Sequence, residues 1–352
     1  MNVQKVAEVI VNYSTEIKEG DKVQINTSVL GIPLAEAIYE LALEKGALPW
    51  VNISDERFEY LWFKKARESA LTWFPTHKLQ EIKNTDVWVG IRAPGNTRLL
   101  SSIAPDRISL YRKTMEKIVE HRVEKTRWVI INYPTNALAQ EAEMSLEEYA
   151  EFWYRAVVQD WEKLSQEWKK IAEKLEKTDE VRILGERTDL SFSVKGRKPV
   201  VADGKYNLPD GEVFTSVVEN SVEGEIYFDL PSTYAGKFAQ GITLRFRKGK
   251  VIDADAEINK ELVFSMLNTD PGARRIGEFG IGLNYRIKRP VKDILFDEKI
   301  GGTIHLAIGK SYSETLGKNK SAIHWDMIKD MRKEGEIYFD GELVFKKGRW
   351  LI

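Results

Sequence analysis

The sequence predicts two architectures in one chain, an α/β N-terminal domain with a mostly parallel sheet followed by a β-rich α+β C-terminal domain. Three observations predict this. Helical and strand-like segments alternate as far as about residue 135, an apolar stripe at three- and four-residue spacing follows, and beyond residue 180 short alternating strands are separated by glycine turns. At 352 residues the chain also exceeds the roughly 250–300 at which one hydrophobic core stops growing.

Within the first domain, "VQKVAEVIVNY" has helical spacing, "DKVQINT" reads as a strand, "PLAEAIYELALEKG" as a helix opened by Pro33 and stopped by Gly46, and "LPWVNIS" as the next strand. Strands are expected again at "DVWVGIRA" and "TRWVIINYP", with the helical "PDRISLYRKTMEKIVEHR" between them. A long helix is then expected from Ser145, which caps it while Glu148 completes a capping box. Leu146, Tyr149, Trp153, Ala156, Val157, Trp161, Leu164, Trp168, Ile171 and Leu175 give it one apolar face. The domains are expected to be 1–178, ending in this helix, and 179–352, with the boundary in "EKTDE". The second domain reads as "LSFSV", "GEIYFDL", a hairpin turning at Lys248-Gly249, the helix "NKELVFSMLN", and a hairpin turning at Asp340-Gly341.

Composition excludes several function classes. With 53 basic against 54 acidic residues the net charge is −1, which gives no electrostatic case for a nucleic-acid or membrane partner. Cysteine is absent, so disulfides, thiolate metal sites and a cysteine nucleophile are excluded together. No signal peptide and no apolar run near the ~18 residues of a membrane span is present, and the expected location is cytoplasmic. The 30% of charged residues, against about 25% in ordinary domains, is a balance associated with thermophilic proteins.

The residues that could carry chemistry lie in the second half. On a strand, His324 and Asp326 of "SAIHWDM" point to the same face and offer a nitrogen and an oxygen side by side; the alternative is a pair that satisfies its own hydrogen bonds. His305 lies in "GGTIHLAIG", flanked by glycines that let another group approach the backbone. His77 and His121 have no such setting and read as surface residues. A carboxylate in an apolar or glycine-rich segment costs several kcal/mol to bury unless it is paired or metal-bound, which singles out Glu212 in "NLPDGEVFTS" and Glu278 in "GARRIGEFGIGLN". A turn carboxylate for Glu212 and a salt bridge from Glu278 to Arg274 or Arg275 are the alternatives. Together, two imidazoles and three carboxylates form a donor set suited to a pair of divalent ions. Neither HExxH nor a phosphate-binding glycine motif occurs in the required context.

In "NLPDGEVFTS", "GARRIGEFGIGLN", "ILFDEKIGGTIHLAIGKSY" and "NKSAIHWDMIKDMR", and more weakly over nearly the whole chain, the sequence resembles the thermophilic metalloaminopeptidases, the aminopeptidase T-like and aminopeptidase S-like enzymes. The resemblance implies that the second domain is catalytic, with metal ligands Glu212, Glu278, His305, His324 and Asp326 and an active-site tyrosine at Tyr312. It also implies a homodimer enclosing a cavity, and two divalent ions per subunit, zinc or cobalt, with manganese and magnesium also compatible. The implied reaction is hydrolysis of the N-terminal peptide bond of peptides with a free N-terminus through a dinuclear metal-activated water. Glu278 is expected to bridge, with Glu212 on one ion and His324 and Asp326 near the other; Tyr312 stabilises the oxyanion or binds metal. Asp297 and Glu298 are expected to orient His305 or to form a surface pair with Lys299. The chain is shorter than many bacterial members, chiefly in the N-terminal half and between Tyr312 and His324, which bears on substrate access.

Two other readings stay open on the residues. One is a different two-metal hydrolase acting on amides or phosphoesters, for which Arg274 and Arg275 could hold a phosphate. The other is a metal-stabilised protein that binds a small molecule or peptide, against which carboxylate-rich ligands argue, since structural zinc sites mostly use cysteine or several histidines.

Overall fold

The alternation of the first half folds as its periods dictate. In the computed structural model, which describes residues 2–234 and 236–352, strands Lys22–Ser28, Leu48–Ser54, Val87–Arg92 and Arg127–Asn132 form a wholly parallel sheet. Leu48–Ser54 is at one edge, followed by Lys22–Ser28, Val87–Arg92 and Arg127–Asn132. Val23, Ile25, Val87, Val89, Val129 and Ile131 are fully buried along it, and helix Ile32–Glu44 turns Leu34, Ala35, Ile38 and Ala42 inward. Pro33 occupies the first turn of that helix, where its missing N–H is no loss. A fifth strand, Asn207–Leu208, joins beside Arg127–Asn132 from much later in the chain, at a length too short for any sequence period to announce.

The apolar stripe expected as one helix is two, Leu146–Val157 and Trp161–Glu176. Val158 leaves the helical region, with φ −90° and ψ 93°, and the Asp160 carboxylate accepts from Lys163 N to cap a new start. Both helices keep the apolar face, which is why the spacing carried through the break: Tyr149, Trp153, Ala156 and Val157 are buried in the first, Trp161, Trp168, Ile171 and Leu175 in the second. The chain separates into two compact units between them, Met1–Gln159 with Gly204–Pro209, and Asp160–Asp203 with Asp210–Ile352.

The second unit is antiparallel, as expected. An eight-stranded sheet runs in the order Lys250–Asp255, Ile242–Arg247, Glu223–Phe228, Thr188–Ser193, Glu180–Gly185, Glu336–Phe339, Glu342–Lys346, Arg349–Trp350. Its hairpins turn at Lys248-Gly249 and Asp340-Gly341, all four residues at positive φ, the conformation that matches the twist of paired strands. A five-stranded sheet has the order His324–Asp330, Thr303–Gly309, Ile276–Gly282, Glu212–Thr215, Val200–Ala202. Every residue of Ile276–Gly282 and Thr303–Gly309 is buried, so these strands are covered on both faces. One face meets the larger sheet, where the Phe279 and Phe192 rings pack edge to face at 5.1 Å. Among the described residues no helix is long and apolar enough to cross a membrane.

The capping box at Ser145 is formed: Ser145 Oγ accepts from Glu148 N at 3.2 Å, and Glu148 Oε2 accepts from Ser145 N at 2.9 Å. Ser145→Ala leaves one N-terminal N–H without that acceptor, and should lower stability by about 1 kcal/mol. Urea unfolding followed by tryptophan fluorescence checks it, with unchanged metal content as the control.

Candidate metal centre

Four strands of the five-stranded sheet carry the singled-out residues to one face. Glu212 pairs with Gly282, Phe214 with Gly280, Gly280 with His305, Glu278 with Ala307, Ala307 with Asp326, and Gly309 with His324. Directly paired residues share a face, and so do residues two apart, so Glu212, Glu278, His305, His324 and Asp326 all project from the same side. The residues between them are small. A Cβ on Gly280 would lie 1.9 Å from His305 Nε2, so the glycine is the space in which the imidazole lies.

Within this face, His305 Nε2 is 3.2 Å from Glu278 Oε1 and 3.4 Å from Glu212 Oε2. His324 Nε2 is 3.4 Å from Asp326 Oδ1 and 4.0 Å from Glu278 Oε2. The two oxygens of Glu278 thus face different imidazoles. His324 Nδ1 donates to the Lys310 carbonyl at 2.7 Å, which fixes the tautomer and leaves Nε2 toward Asp326. Donor atoms fall into two groups, Glu212 with Glu298 and His305, and Glu278 with His324 and Asp326, the atoms of each within 4.8 Å of one another.

Glu212 is not a turn carboxylate but the buried first residue of its strand. Glu278 pairs with neither arginine: Arg274 reaches Asn268 and the Val251 carbonyl, and Arg275 the Glu219 carbonyl. The segment before the glycines that precede His305 carries more of the site than the sequence announces. Asp297 accepts from Val291 N at 2.7 Å and so fixes its own loop instead of orienting His305. Glu298 joins the donor group directly. Lys299 is no surface residue: it is fully buried, 3.1 Å from Glu212 Oε1, 3.9 Å from Asp210 Oδ1, and in contact with Glu298. The available signal was "DEK" itself, three consecutive charges between apolar and glycine-rich runs. His77 is exposed and His121 half-buried, both in the first unit and outside either donor group.

Electrostatics follow from crowding. Burial lowers the pKa of both imidazoles, but the carboxylates around them win: His305 rises to about 9 through Glu278 and Glu212, and His324 to about 10 through Asp326 and Glu278. Asp326 resists its own burial and falls to about 2 beside His324. Glu212, Glu278 and Glu298 are raised, first by burial. The Tyr312 ring lies 4.8 Å from that of His324, and burial, then Glu278 and Asp326, raise its hydroxyl above the ordinary tyrosine value.

The donor set fits divalent cations. Glu212 Oε2, Glu278 Oε2, Asp326 Oδ1 and His305 Nδ1 are buried and make no hydrogen bond, and all donors are oxygen or imidazole nitrogen. Asp210, Glu212 and Glu298 lie within 4 Å of the Lys299 ammonium, while Glu278 and Asp326 face the imidazoles of His305 and His324.

The model of a family described as thermophilic metalloprotease (M29) matches residues 1–350. Aminopeptidase 2 of Geobacillus stearothermophilus is 27% identical to the chain, covering 99% of it and 97% of the relative. Aminopeptidase T of Thermus aquaticus is 25% identical, over 100% of the chain and 98% of the relative. A solved structure, wild-type AmpT from Thermus thermophilus, superposes with a TM-score of 0.86 at 22% identity, over 99% of each chain, and so has the same fold.

The raised imidazoles set a pH dependence. A histidine whose folded pKa lies above the ordinary ~6.5 contributes stability that is complete below that value and is lost as pH rises through the folded one. Protein stripped by chelation should therefore lose stability from about pH 7 to pH 10, as His305 near 9 and His324 near 10 deprotonate. Divalent metal, which needs neutral imidazole, should bind more tightly over the same range and release protons near neutrality. Calorimetry in two buffers of different ionisation enthalpy checks the release.

Proposed function

The chain belongs to the thermophilic metalloprotease (M29) family, and on that premise we propose that it is an aminopeptidase hydrolysing the first peptide bond of peptides with a free N-terminus. The names of the relatives support the aminopeptidase reading over nearly their full lengths. The single observation that carries it in the molecule is Glu278, whose two oxygens face the imidazoles of two separate donor groups. A carboxylate so placed suits a bridge between two ions, with Glu212, Glu298 and His305 holding one and His324 and Asp326 the other. When bound, such a pair polarises a carbonyl and lowers the pKa of water. Zinc or cobalt in a cytoplasmic homodimer belongs to the same reading, on the resemblance of the sequence.

The chain's own residues have distinct parts in this reaction. Glu278, facing both imidazoles, would offset the mutual repulsion of two bound cations. Lys299 holds Glu298 and the Glu212 oxygen that does not face His305. Tyr312, kept protonated well past neutrality, serves as a hydrogen-bond donor to the oxyanion that develops when the scissile carbonyl is attacked. Arg274 and Arg275 are engaged elsewhere, which removes the feature that favoured a phosphoester.

Turnover of amino-acid anilides should be abolished by chelation and restored by zinc or cobalt, while phosphoesters are left intact; chelated protein that retains its rate sinks the reading. Two variants then separate the roles. Glu278→Gln keeps the shape but loses the charge, and should lose at least one ion and nearly all activity. Tyr312→Phe should keep its metal and slow by ~100–1000-fold, the cost of one oxyanion donor. Metal stoichiometry and turnover measured on both decide the assignment, and a metal-poor Tyr312→Phe protein makes the tyrosine a ligand.

A further inference from the structure

We propose that Glu314 is the specificity residue that binds the substrate's α-ammonium group, an inference that rests on the aminopeptidase reading and names what confines cleavage to the first bond. An enzyme that acts only at a free N-terminus must distinguish a cation one residue from the scissile carbonyl from the neutral amide that an internal residue presents there. The recognising group has to be anionic, reachable by substrate, close to Tyr312, and not already committed to a cation or an amide.

The carboxylates around the centre can be taken in turn. Asp210, Glu212 and Glu298 face Lys299. Glu278 and Asp326 face the imidazoles. Asp297 accepts from Val291 N, and Asp293 from Leu295 N. Glu314 differs from all of them. It is exposed, it lies two residues past Tyr312 in the turn Ser313–Thr315, and no cation comes within ion-pair distance of it among the described residues. Lys198 attracts it only from further away.

The turn that carries Glu314 is held on several sides. Thr315 is fully buried; its Oγ1 donates to the Tyr312 carbonyl at 2.8 Å and shares a hydrogen bond with Ser216 Oγ at 2.5 Å. Lys198 N donates to the Thr315 carbonyl at 3.2 Å, and Gly317 N to that of Tyr312 at 3.3 Å. Arg197, paired with Glu219 at 2.8 Å, donates to the Leu316 carbonyl. The backbone that carries Glu314 is therefore held beside Tyr312, whose ring lies 4.8 Å from that of His324, the arrangement that lets a rigid turn position a recognition group. Burial, then the Glu278 charge, raise the pKa of Glu314.

The test compares leucine p-nitroanilide with 4-methylpentanoyl p-nitroanilide, the same acyl group without the amine, on metal-loaded wild type, Glu314→Gln and Glu314→Asp. Hydrogen bonds to charged groups imply that Glu314→Gln loses about 10–100-fold in kcat/KM on the amine substrate, chiefly through KM. The rate on the des-amino substrate and the metal content should stay at wild-type levels, so the preference for the amine collapses, and Glu314→Asp should recover part of it. An equal loss on both substrates, an unchanged preference, or loss of metal overturns the assignment. Wild-type protein that cleaves neither anilide overturns the aminopeptidase reading, and this inference with it.

Discussion

The centre is governed by an excess of buried negative charge. Asp210, Glu212, Glu278 and Asp326 are each at least nine-tenths buried, Glu298 lies beside them, and the Lys299 ammonium pairs with Asp210, Glu212 and Glu298. Removing a carboxylate from water without a partner costs several kcal/mol, more than a typical surface feature contributes, so such a cluster persists only where cations complete it. Two imidazoles do so partially by taking up protons. Divalent cations would do so more fully and would take up the oxygens that make no hydrogen bond. The carboxylates raise the pKa of both histidines, burial raises those of Glu212, Glu278 and Glu298, and burial followed by the carboxylates keeps the Tyr312 proton in place.

Space for the cluster is made by the sheet. Register alone would place side chains of adjacent strands about 5 Å apart on one face, too crowded for two imidazoles and three carboxylates unless some positions are nearly empty. Gly280, opposite His305, and Ala307, between Glu278 and Asp326, supply that room. The opposite face of the same strands carries Phe279, Trp325 and Met327 into the apolar interior, so one sheet is both core and site. Lys329 shares that inner face, and its ammonium donates to the Tyr227 carbonyl of the larger sheet and to the Glu186 carbonyl in one of its turns.

What the sequence disclosed depended on whether a physical signal was local. The parallel sheet and both hairpin turns were legible because periods of 2.0 and 3.6 and positive-φ turn residues act within a few positions. His324 and Asp326 were legible as a same-face pair once the segment was taken as a strand, and Glu278 because apolar neighbours made its charge anomalous. The break at Val158–Asp160 was not, since the apolar spacing continues in phase across it. For another reason, the sequence leaves open whether Glu298 orients His305 or pairs with Lys299 at the surface. Adjacent opposite charges after a short helix look like a solvated pair, and their burial is decided by Glu212 and Asp210, more than eighty residues earlier in the chain. The strand Asn207–Leu208 likewise depends on a partner, Arg127–Asn132, that no local pattern could supply.

Rigidity and charge together explain why protons and metal should exchange here instead of the site opening. Ile276–Gly282 and Thr303–Gly309 are hydrogen-bonded on both edges and packed on both faces, so mutual repulsion among the carboxylates cannot be relieved by moving strands apart without breaking the core. The side chains have little room either, because His305 already fills the place of a Cβ at Gly280. Relief must come from neutralisation in place, by protons on nitrogen and oxygen or by cations among them. A proton on each imidazole still leaves negative charge uncompensated and occupies the lone pair that a cation would use. The fold therefore holds the donors close in a form that favours metal over protons as pH rises. That preorganisation costs stability in the absence of cations and strengthens their binding when they are present.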